Sequence, residues 1–184
     1  MPTDFARRRL PHSYPENTWL FVTCHLNGSL PKNRYPPPGA PNAGKAFVWM
    51  DRYLDTARSG PRYLARDEIA SLVANQLDEA QRQAHCDLGA YAILPNHIHL
   101  LFRPKIDPSR FLKSLKGTTA RRANLILHLT GASLWQAESY DRWVRTSDEW
   151  RRISSYIENN PVQAGLVARA EDYRWSTAWR GPLD

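Results

Sequence analysis

Two histidines separated by one residue, His97 and His99, are the side chains best placed to do chemistry. They belong to the run 91–102, which is rich in residues that favour β-strands. Successive side chains of a strand point to opposite faces, so both imidazoles would project from one face and Ile98 from the other. Two imidazoles this close together on a stiff element form half of a divalent-metal site.

A proline and an asparagine come directly before the first histidine. Pro95 and Asn96 do not suit the middle of a strand and are typical of a turn. We therefore expect a hairpin with strands at 86–94 and 97–103. The His-x-His pattern is weak evidence by itself, because most such pairs are ordinary packed or surface histidines.

A tyrosine further along the chain is the candidate nucleophile. Thr146 and Glu149 have the spacing of a capping box, which predicts a helix that runs to about Asn160, before Pro161. Residues at i and i+4 lie one above the other on a helix, so Tyr156 and Asn160 share one side. That side borders the apolar stripe, and Tyr156 can therefore face a cleft while its helix packs on a sheet.

Four motifs occur in order along the chain. They are Leu94-Pro-Asn-His-Ile-His-Leu-Leu101, Leu134-Trp-Gln136, Tyr156-Ile-Glu-Asn-Asn-Pro161 with Ala164-Gly-Leu166, and Glu171-Asp-Tyr-Arg-Trp-Ser176. Together they resemble the single-tyrosine HUH transposases, and among these the REP-associated tyrosine transposases. The resemblance covers residues 86–178. Each motif alone is unspecific, but the combination is specific.

The resemblance implies a role for each of the candidate residues. His97 and His99 would bind Mg²⁺ or Mn²⁺, Asn160 would be a third ligand, and Tyr156 would attack a DNA phosphodiester. The attack leaves a 5′-phosphotyrosine and a 3′-OH, and it can be reversed to rejoin strands because the phosphodiester is exchanged rather than hydrolysed. The implied substrate is a short DNA hairpin with single-stranded flanks, of the repetitive extragenic palindrome type.

The resemblance also implies a fold. This is the α+β HUH endonuclease fold, a ferredoxin-like or RRM-like antiparallel sheet with helices packed on it. The sequence patterns agree with such a fold, since they predict a strand, two helices, two strands and two further helices in chain order. The elements not yet named are predicted at 18–26 (strand), 46–57, 65–83 and 108–128 (helices), with a Pro-rich loop at 27–44. The apolar stripes of helices 46–57 and 65–83 are expected to be core faces rather than binding surfaces.

A net charge of +7 and a pI near 9.7 indicate a polyanionic partner such as DNA. The basic residues expected to contact single-stranded or hairpin DNA are Arg7, Arg8, Arg9, Lys113, Lys116, Arg121, Arg122, Arg142 and Arg145. Of these, Arg122 is expected to project into its helix's apolar stripe, so it meets an anionic partner there or the helix bends near Gly117. Exposed charge is also often only solvated surface. The aromatic segment 134–145 is either a DNA contact or a buried Trp pair.

The chain of 184 residues, 42% of them hydrophobic, suits a basic arm at 1–17 and one domain at 18–184. Two cysteines are too few for a disulfide scaffold, which favours a reducing, cytoplasmic setting. For a bacterial transposase, which the resemblance implies, we also expect association with the nucleoid. No run approaches the roughly 20 apolar residues of a membrane span. A monomer and a homodimer both remain open.

Other interpretations of the same residues exist. Tyr140 is a rival nucleophile, but no good ligand type lies one turn beyond it. The alternative function is a catalytically inactive or domesticated DNA-hairpin-binding protein, against which the joint presence of His97, His99 and Tyr156 argues. A cupin would require an almost all-β chain. A two-histidine phosphoesterase would require a second His-x-His motif, which the sequence lacks.

Overall fold

The computed structural model describes residues 16–31 and 43–181. In chain order its main elements are β1 (Leu20–His25), α1 (Ala43–Thr56), α2 (Asp67–Arg82), β2 (Cys86–Ile93), β3 (His97–Pro104), α3 (Pro108–Ile126), β4 (Tyr140–Trp143) and α4 (Ser147–Gln163). Short 3-10 helices occupy Tyr63–Ala65 and Ala170–Asp172. None of the helices in these two ranges is long and apolar enough to cross a membrane.

The strands form one sheet in the order β2-β3-β1-β4, and every neighbouring pair is antiparallel. This order, with helices between β1 and β2 and between β3 and β4, confirms the predicted ferredoxin-like α+β fold. The strand β4 was not predicted. It is four residues long, lies at the sheet edge and contains Asp141 and Arg142, so it lacks the apolar alternation that reveals a longer strand.

The two faces of the sheet bury different clusters. One face packs on α2 and α3 through residues such as Leu100 and Phe102 of β3. The other face packs on α1 and α4, and there Leu101 of β3 contacts the cluster that contains Phe21 and Ile157. Alternate residues of β3 thus reach opposite layers, which is the geometry that the strand pattern predicts. Both cysteines are buried and free, in agreement with the absence of a disulfide scaffold.

A glycine allows α4 to approach the sheet. The pairing of β2 with β3 shifts register at Gly89, between Leu88 and Ala90. A Cβ atom at Gly89 would lie 2.8 Å from the ring of Trp19 and 3.0 Å from the ring of Trp150, which belongs to α4. The two indoles meet edge to face at 5.6 Å over this position. Only a residue without a side chain leaves room for this packing.

The predicted end of α4 at Asn160 is wrong. The helix continues through Pro161 to Gln163. A proline removes one N–H from the helix, but near the C-terminus the next donors can compensate. Ala164 N–H bonds to the carbonyl of Asn160 at 2.8 Å and Leu166 N–H bonds to that of Pro161 at 2.9 Å.

The expected position of Arg122 is also wrong. The buried side of α3 runs through Thr119, Ala123 and Asn124, whereas Arg122 is exposed. Its side chain therefore needs neither an anionic partner in the core nor a bend at Gly117, which lies within the continuous helix. The first part of the predicted stripe is buried as expected, at Phe111, Leu112 and Leu115. The buried side then moves round the helix toward Asn124, so a stripe of constant direction misplaced Arg122.

Candidate active site

The two histidines of β3 form the centre of the site. His97 and His99 are fully buried, and their Nε2 atoms lie 3.2 Å apart. They project from the sheet face that α1 and α4 cover, opposite to Ile98. The turn at Pro95 and Asn96, closed by a 2.8 Å hydrogen bond from Leu94 N–H to the carbonyl of His97, starts the strand where it was predicted.

Neighbouring polar groups hold both imidazole rings. Asn96 donates from Nδ2 to the carbonyl of Leu54 at 2.9 Å, so its Oδ1 is left to accept from His97 Nδ1 at 2.7 Å. His99 Nδ1 lies 2.8 Å from the hydroxyl of Thr23 on β1. A proton held at Nδ1 leaves the lone pair of Nε2 free to bind a metal. Burial lowers the pKa of His97 well below its ordinary value, and the neighbouring His99 lowers it further, so the ring is neutral.

Two carboxylates of α1 face the histidines. Oδ1 of Asp51 lies 3.0 Å from His99 Nε2 and 3.9 Å from His97 Nε2. Oδ1 of Asp55, one turn later, lies 3.6 Å from His97 Nε2. Neither residue was predicted from the sequence, because the apolar stripe of this helix indicated only a core face. The available signal was a pair of acidic residues bordering the apolar positions Met50 and Leu54, where carboxylates are rarely buried without a partner.

The predicted nucleophile lies beside this cluster. Tyr156 is half-buried, and its hydroxyl donates a hydrogen bond to Oδ2 of Asp51. The centre of its ring is 5.6 Å from that of His99. The helix that carries it starts as predicted, since the hydroxyl of Thr146 accepts from Glu149 N–H at 3.1 Å. The rival Tyr140 instead packs its ring against a phenylalanine of α1, at 4.3 Å.

Asn160 also lies in the site, fully buried one turn after Tyr156. Its Nδ2 donates to Oδ2 of Asp55 at 3.5 Å, and its Oδ1 has no hydrogen-bond partner. A buried side-chain oxygen without a hydrogen-bond donor is suited to bind a cation or a water molecule. The role of Asn160 as a metal ligand stays a prediction.

The buried acceptors of the site fit a divalent cation. Oδ1 of Asp51 and Oδ1 of Asp55 have no hydrogen-bond donor, like Oδ1 of Asn160. Ligand atoms of Asp51, His97 and His99 all lie within 4.8 Å of one another. Burial, and next the charge of Asp51, raise the pKa of Asp55 to about 7. Nitrogen and carboxylate donors together suit Mn²⁺ and comparable ions, and Mg²⁺ more weakly.

The predicted DNA-contacting residues are spread over the molecule. Arg7, Arg8 and Arg9 lie outside the described residues. Lys113, Arg121 and Arg122 are exposed on α3, which packs on the sheet face opposite the histidines. The structure therefore does not bring these three to the site.

The three remaining basic residues already have partners. Lys116 donates from Nζ to the carbonyl of Gln136 at 2.9 Å, and its Nζ also contacts Ala137 and Ser139. Arg142 is paired with the buried Glu149, and Arg145 lies over the ring of Trp143 at 4.8 Å. Lys116 and Arg142 thus support the fold whether or not they touch DNA.

The two alternatives for segment 134–145 apply to different tryptophans. Trp135 is buried and donates from Nε1 to the hydroxyl of Thr119 at 2.9 Å. Trp143 is 38% exposed on the edge strand. Trp135 is therefore a core residue, and only Trp143 presents an accessible face of the kind on which a base could stack.

Comparison with known proteins identifies a family and a relative of this chain. A family model described as "Transposase IS200 like" matches residues 61–160. A REP-associated tyrosine transposase of Escherichia coli (strain K12) is 25% identical over 114 residues, which is 59% of this chain. The match covers 64% of that relative, less than two thirds of its length.

One solved structure extends the comparison to almost the whole chain. It is described as a REP-associated tyrosine transposase bound to a REP hairpin. The TM-score is 0.61 at 18% identity, over 97% of this chain and 93% of the other. At that identity the likeness shows the fold alone. The family match starts at residue 61, so it does not include the helix that carries Asp51 and Asp55.

Proposed function

The chain belongs to the IS200-like transposase family, and on that premise we propose that it cleaves and rejoins single-stranded DNA near short palindromic hairpins. The reaction uses a divalent metal ion and passes through a 5′-phosphotyrosine on Tyr156. The observation that carries the proposal is the hydrogen bond from Tyr156 to Asp51, whose other carboxylate oxygen lies 3.0 Å from His99 Nε2. The candidate nucleophile, a carboxylate that could accept its proton and the candidate metal ligands therefore lie together.

The residues that would hold the cation are Asp51, His97 and His99, with Asn160 as a further candidate through its unpaired Oδ1. When bound, Mg²⁺ or Mn²⁺ withdraws charge from the oxygens of the scissile phosphate. Nδ1 is engaged on each ring, which leaves the Nε2 atoms facing the position of the cation. Asp55 adds a second carboxylate to the cluster.

The covalent step exchanges one phosphodiester bond for another. The oxygen of Tyr156 attacks phosphorus, its proton passes to Asp51, and the bond from phosphorus to the 3′ oxygen breaks. The 3′ oxygen leaves with a proton from water as a 3′-OH. The protein then carries the 5′-phosphate, and attack by a 3′-OH on this linkage releases Tyr156 and rejoins a strand.

Hairpin DNA is the substrate that the relatives suggest. The similar solved structure is described as bound to a REP hairpin, and the curated relative is named for the same association. The net charge of +7 suits such a polyanion. A protein with this substrate would work at the nucleoid. The second candidate function is hairpin binding without cleavage.

The test uses labelled single-stranded hairpin DNA from the flanks of the gene, incubated with purified protein and Mn²⁺ or Mg²⁺ and separated on a denaturing gel. Wild type should give a covalent protein–DNA band and a shortened strand, and Tyr156→Phe should give neither. Tyr140→Phe is the matched control and should retain both products. Cleavage that survives Tyr156→Phe would refute the assignment of the nucleophile, and binding without cleavage by wild type would favour the second candidate.

A further inference from the structure

Asp51, Asp55, His97 and His99 are the candidate metal ligands, and we call them together the metal cluster. A cavity of about 410 Å³ opens beside it. We call it the entry cavity. Its wall consists of residues 54–58 at and just beyond the end of α1, Arg62, residues 94–97 of the hairpin and residues 163–166 at the end of α4. Asp55 and His97 belong to this wall, so the cavity leads directly to the candidate metal site. Its volume lies within the range of roughly 300–1,000 Å³ that is usual for ligand pockets.

Two arginines stand at the entry cavity. Arg58 and Arg62 are both exposed. Arg62 donates from Nη1 to the carbonyl of Ala57 at 2.8 Å, which anchors its guanidinium at the wall. Within the part of the chain that the structure describes, Arg58 has no ion pair and no hydrogen bond. Among the described residues that line the cavity, these are the only cations, and Asp55 is the only acid.

The charges of the metal cluster explain why these cations matter. The carboxyl groups of Asp51 and Asp55 lie at the site, so a phosphodiester that approaches it meets acidic side chains. Arg58 and Arg62 provide positive charge at the cavity, where a guanidinium can bind a phosphate through two parallel hydrogen bonds.

The wall also has an apolar part. Leu166 is half-buried there, and the buried residues Leu54, Leu94 and Pro95 lie behind the wall. A small apolar surface next to a pair of arginines matches the two halves of a nucleotide, since a base packs on apolar groups and a phosphate binds guanidinium. A free anion would use only the arginines.

We propose that the entry cavity binds single-stranded DNA, with one nucleotide next to the scissile phosphate inside it and Arg58 and Arg62 on the backbone phosphates. This subsite deepens the proposed function and rests on it, because the metal cluster is taken as the place of cleavage. The proposal thus assigns DNA contacts to residues on the same side of the sheet as the histidines. The exposed basic residues of α3 lie on the opposite side.

The test measures binding of a fluorescent single-stranded oligonucleotide without a hairpin, by anisotropy, at several salt concentrations with Mn²⁺ present. All variants carry Tyr156→Phe so that no cleavage occurs. The double variant Arg58→Gln/Arg62→Gln should bind about tenfold more weakly, and the slope of log K against log salt should fall by about 1.4, which is two phosphates at ~0.7 each. For Arg58→Gln with Arg62→Lys, the slope should fall by only about 0.7, half of the decrease expected for the double variant, because the introduced lysine keeps the positive charge at the second position.

The control is Arg82→Gln on α2. Arg82 is an exposed arginine paired with Glu79, on the helix that packs against the opposite face of the sheet. It should change neither the affinity nor the slope. Thermal unfolding of each variant shows whether the fold is retained. A folded double variant with unchanged affinity and slope would overturn the proposal.

Failure of the subsite and failure of the function give different results. If wild type forms the covalent adduct, and the double variant binds the oligonucleotide as tightly as the Tyr156→Phe protein and with the same salt slope, the subsite is wrong and the transposase chemistry stands. If wild type forms no adduct but its binding of single strands still depends on both arginines, the subsite stands and the chemistry is wrong.

Discussion

Tyr156 donates a hydrogen bond to Asp51, although 105 residues separate them in the chain. The second oxygen of the same carboxylate lies 3.0 Å from His99 Nε2. One side chain of α1 thus connects the candidate nucleophile of α4 with the candidate metal ligands of β3. The proposed reaction therefore assigns Asp51 two tasks, to bind the cation and to accept the phenolic proton.

Replacement of Asp51 by asparagine should impair both tasks while keeping the size of the side chain. An amide is a poorer metal ligand than a carboxylate and does not accept the proton of a phenol. We expect Mn²⁺ affinity to fall at least about tenfold and single-turnover cleavage about 100-fold or more. Calorimetric Mn²⁺ titration and the cleavage gel measure the two effects. Asp148→Asn, on the exposed side of α4, should behave as wild type, and cleavage at the wild-type rate by Asp51→Asn would contradict the assignment.

Asn96 should control metal affinity without touching the metal. Its Oδ1 accepts from His97 Nδ1 and its Nδ2 holds the end of α1 through Leu54. Asn96→Ala removes both bonds, so we expect Mn²⁺ affinity to fall about 10- to 100-fold, as for other groups that orient a metal-binding histidine. Asn159→Ala removes only an exposed bond to Ser155 and should not change it. Equal Mn²⁺ affinities for the two variants would show that His97 needs no such support.

The pH dependence of stability should report the buried carboxyl of Asp55. Its pKa is raised from 3.8 to about 7, so between about pH 4 and 7 the folded protein keeps a proton that the unfolded chain has lost. Rising pH then favours unfolding, by up to about 1.4 kcal/mol per pH unit for one proton. Relative to Asp55→Asn, the free energy of unfolding of wild type should fall over this window and level off above about pH 7.

Urea denaturation with a chelator present, at pH 5, 6, 7 and 8, checks this expectation. The lowered pKa of His97 acts in the opposite direction, since that ring must become protonated on unfolding at low pH. His97 is present in both proteins, so the difference between wild type and Asp55→Asn isolates the carboxyl. Parallel pH curves for the two proteins would show that Asp55 does not titrate in this range.

Gly89→Ala should destabilise the contact between β2 and α4. The added methyl group would clash with the rings of Trp19 and Trp150, which must shift to admit it. Overpacking of this kind costs about 1–3 kcal/mol, which urea denaturation measures. The matched control is Gly117→Ala, where the methyl group meets no atom within 4 Å in the middle of α3. That variant should be more stable by up to about 1 kcal/mol, and a neutral Gly89→Ala would refute the packing argument.

Features set by neighbours in the chain were predictable. The alternation of His97, Ile98 and His99 follows from the geometry of any strand, and the proximity of Tyr156 and Asn160 from that of any helix. The hairpin turn and the cap at Thr146 also follow from local chemistry. Most elements were therefore placed within a few residues of their ends, and the motifs that they carry identified the family.

The predictions that were wrong concerned details that local sequence patterns do not contain. The buried side of α3 moves round the helix toward Asn124, which leaves Arg122 exposed. The four-residue edge strand β4 had no apolar alternation to reveal it. The proline at 161 was taken as a stop, although in the last turn of α4 the carbonyls find other donors.

The sequence by itself determined the histidine pair, the tyrosine and the strands and helices that present them, because each depends on residues a few positions apart. Only the tertiary structure decided that α1 packs over the histidines and brings Asp51 and Asp55 to them. That packing depends on contacts between segments far apart in the chain, and the acidic residues themselves carry no local mark of their partner. The composition of the candidate metal site is therefore a property of the folded chain.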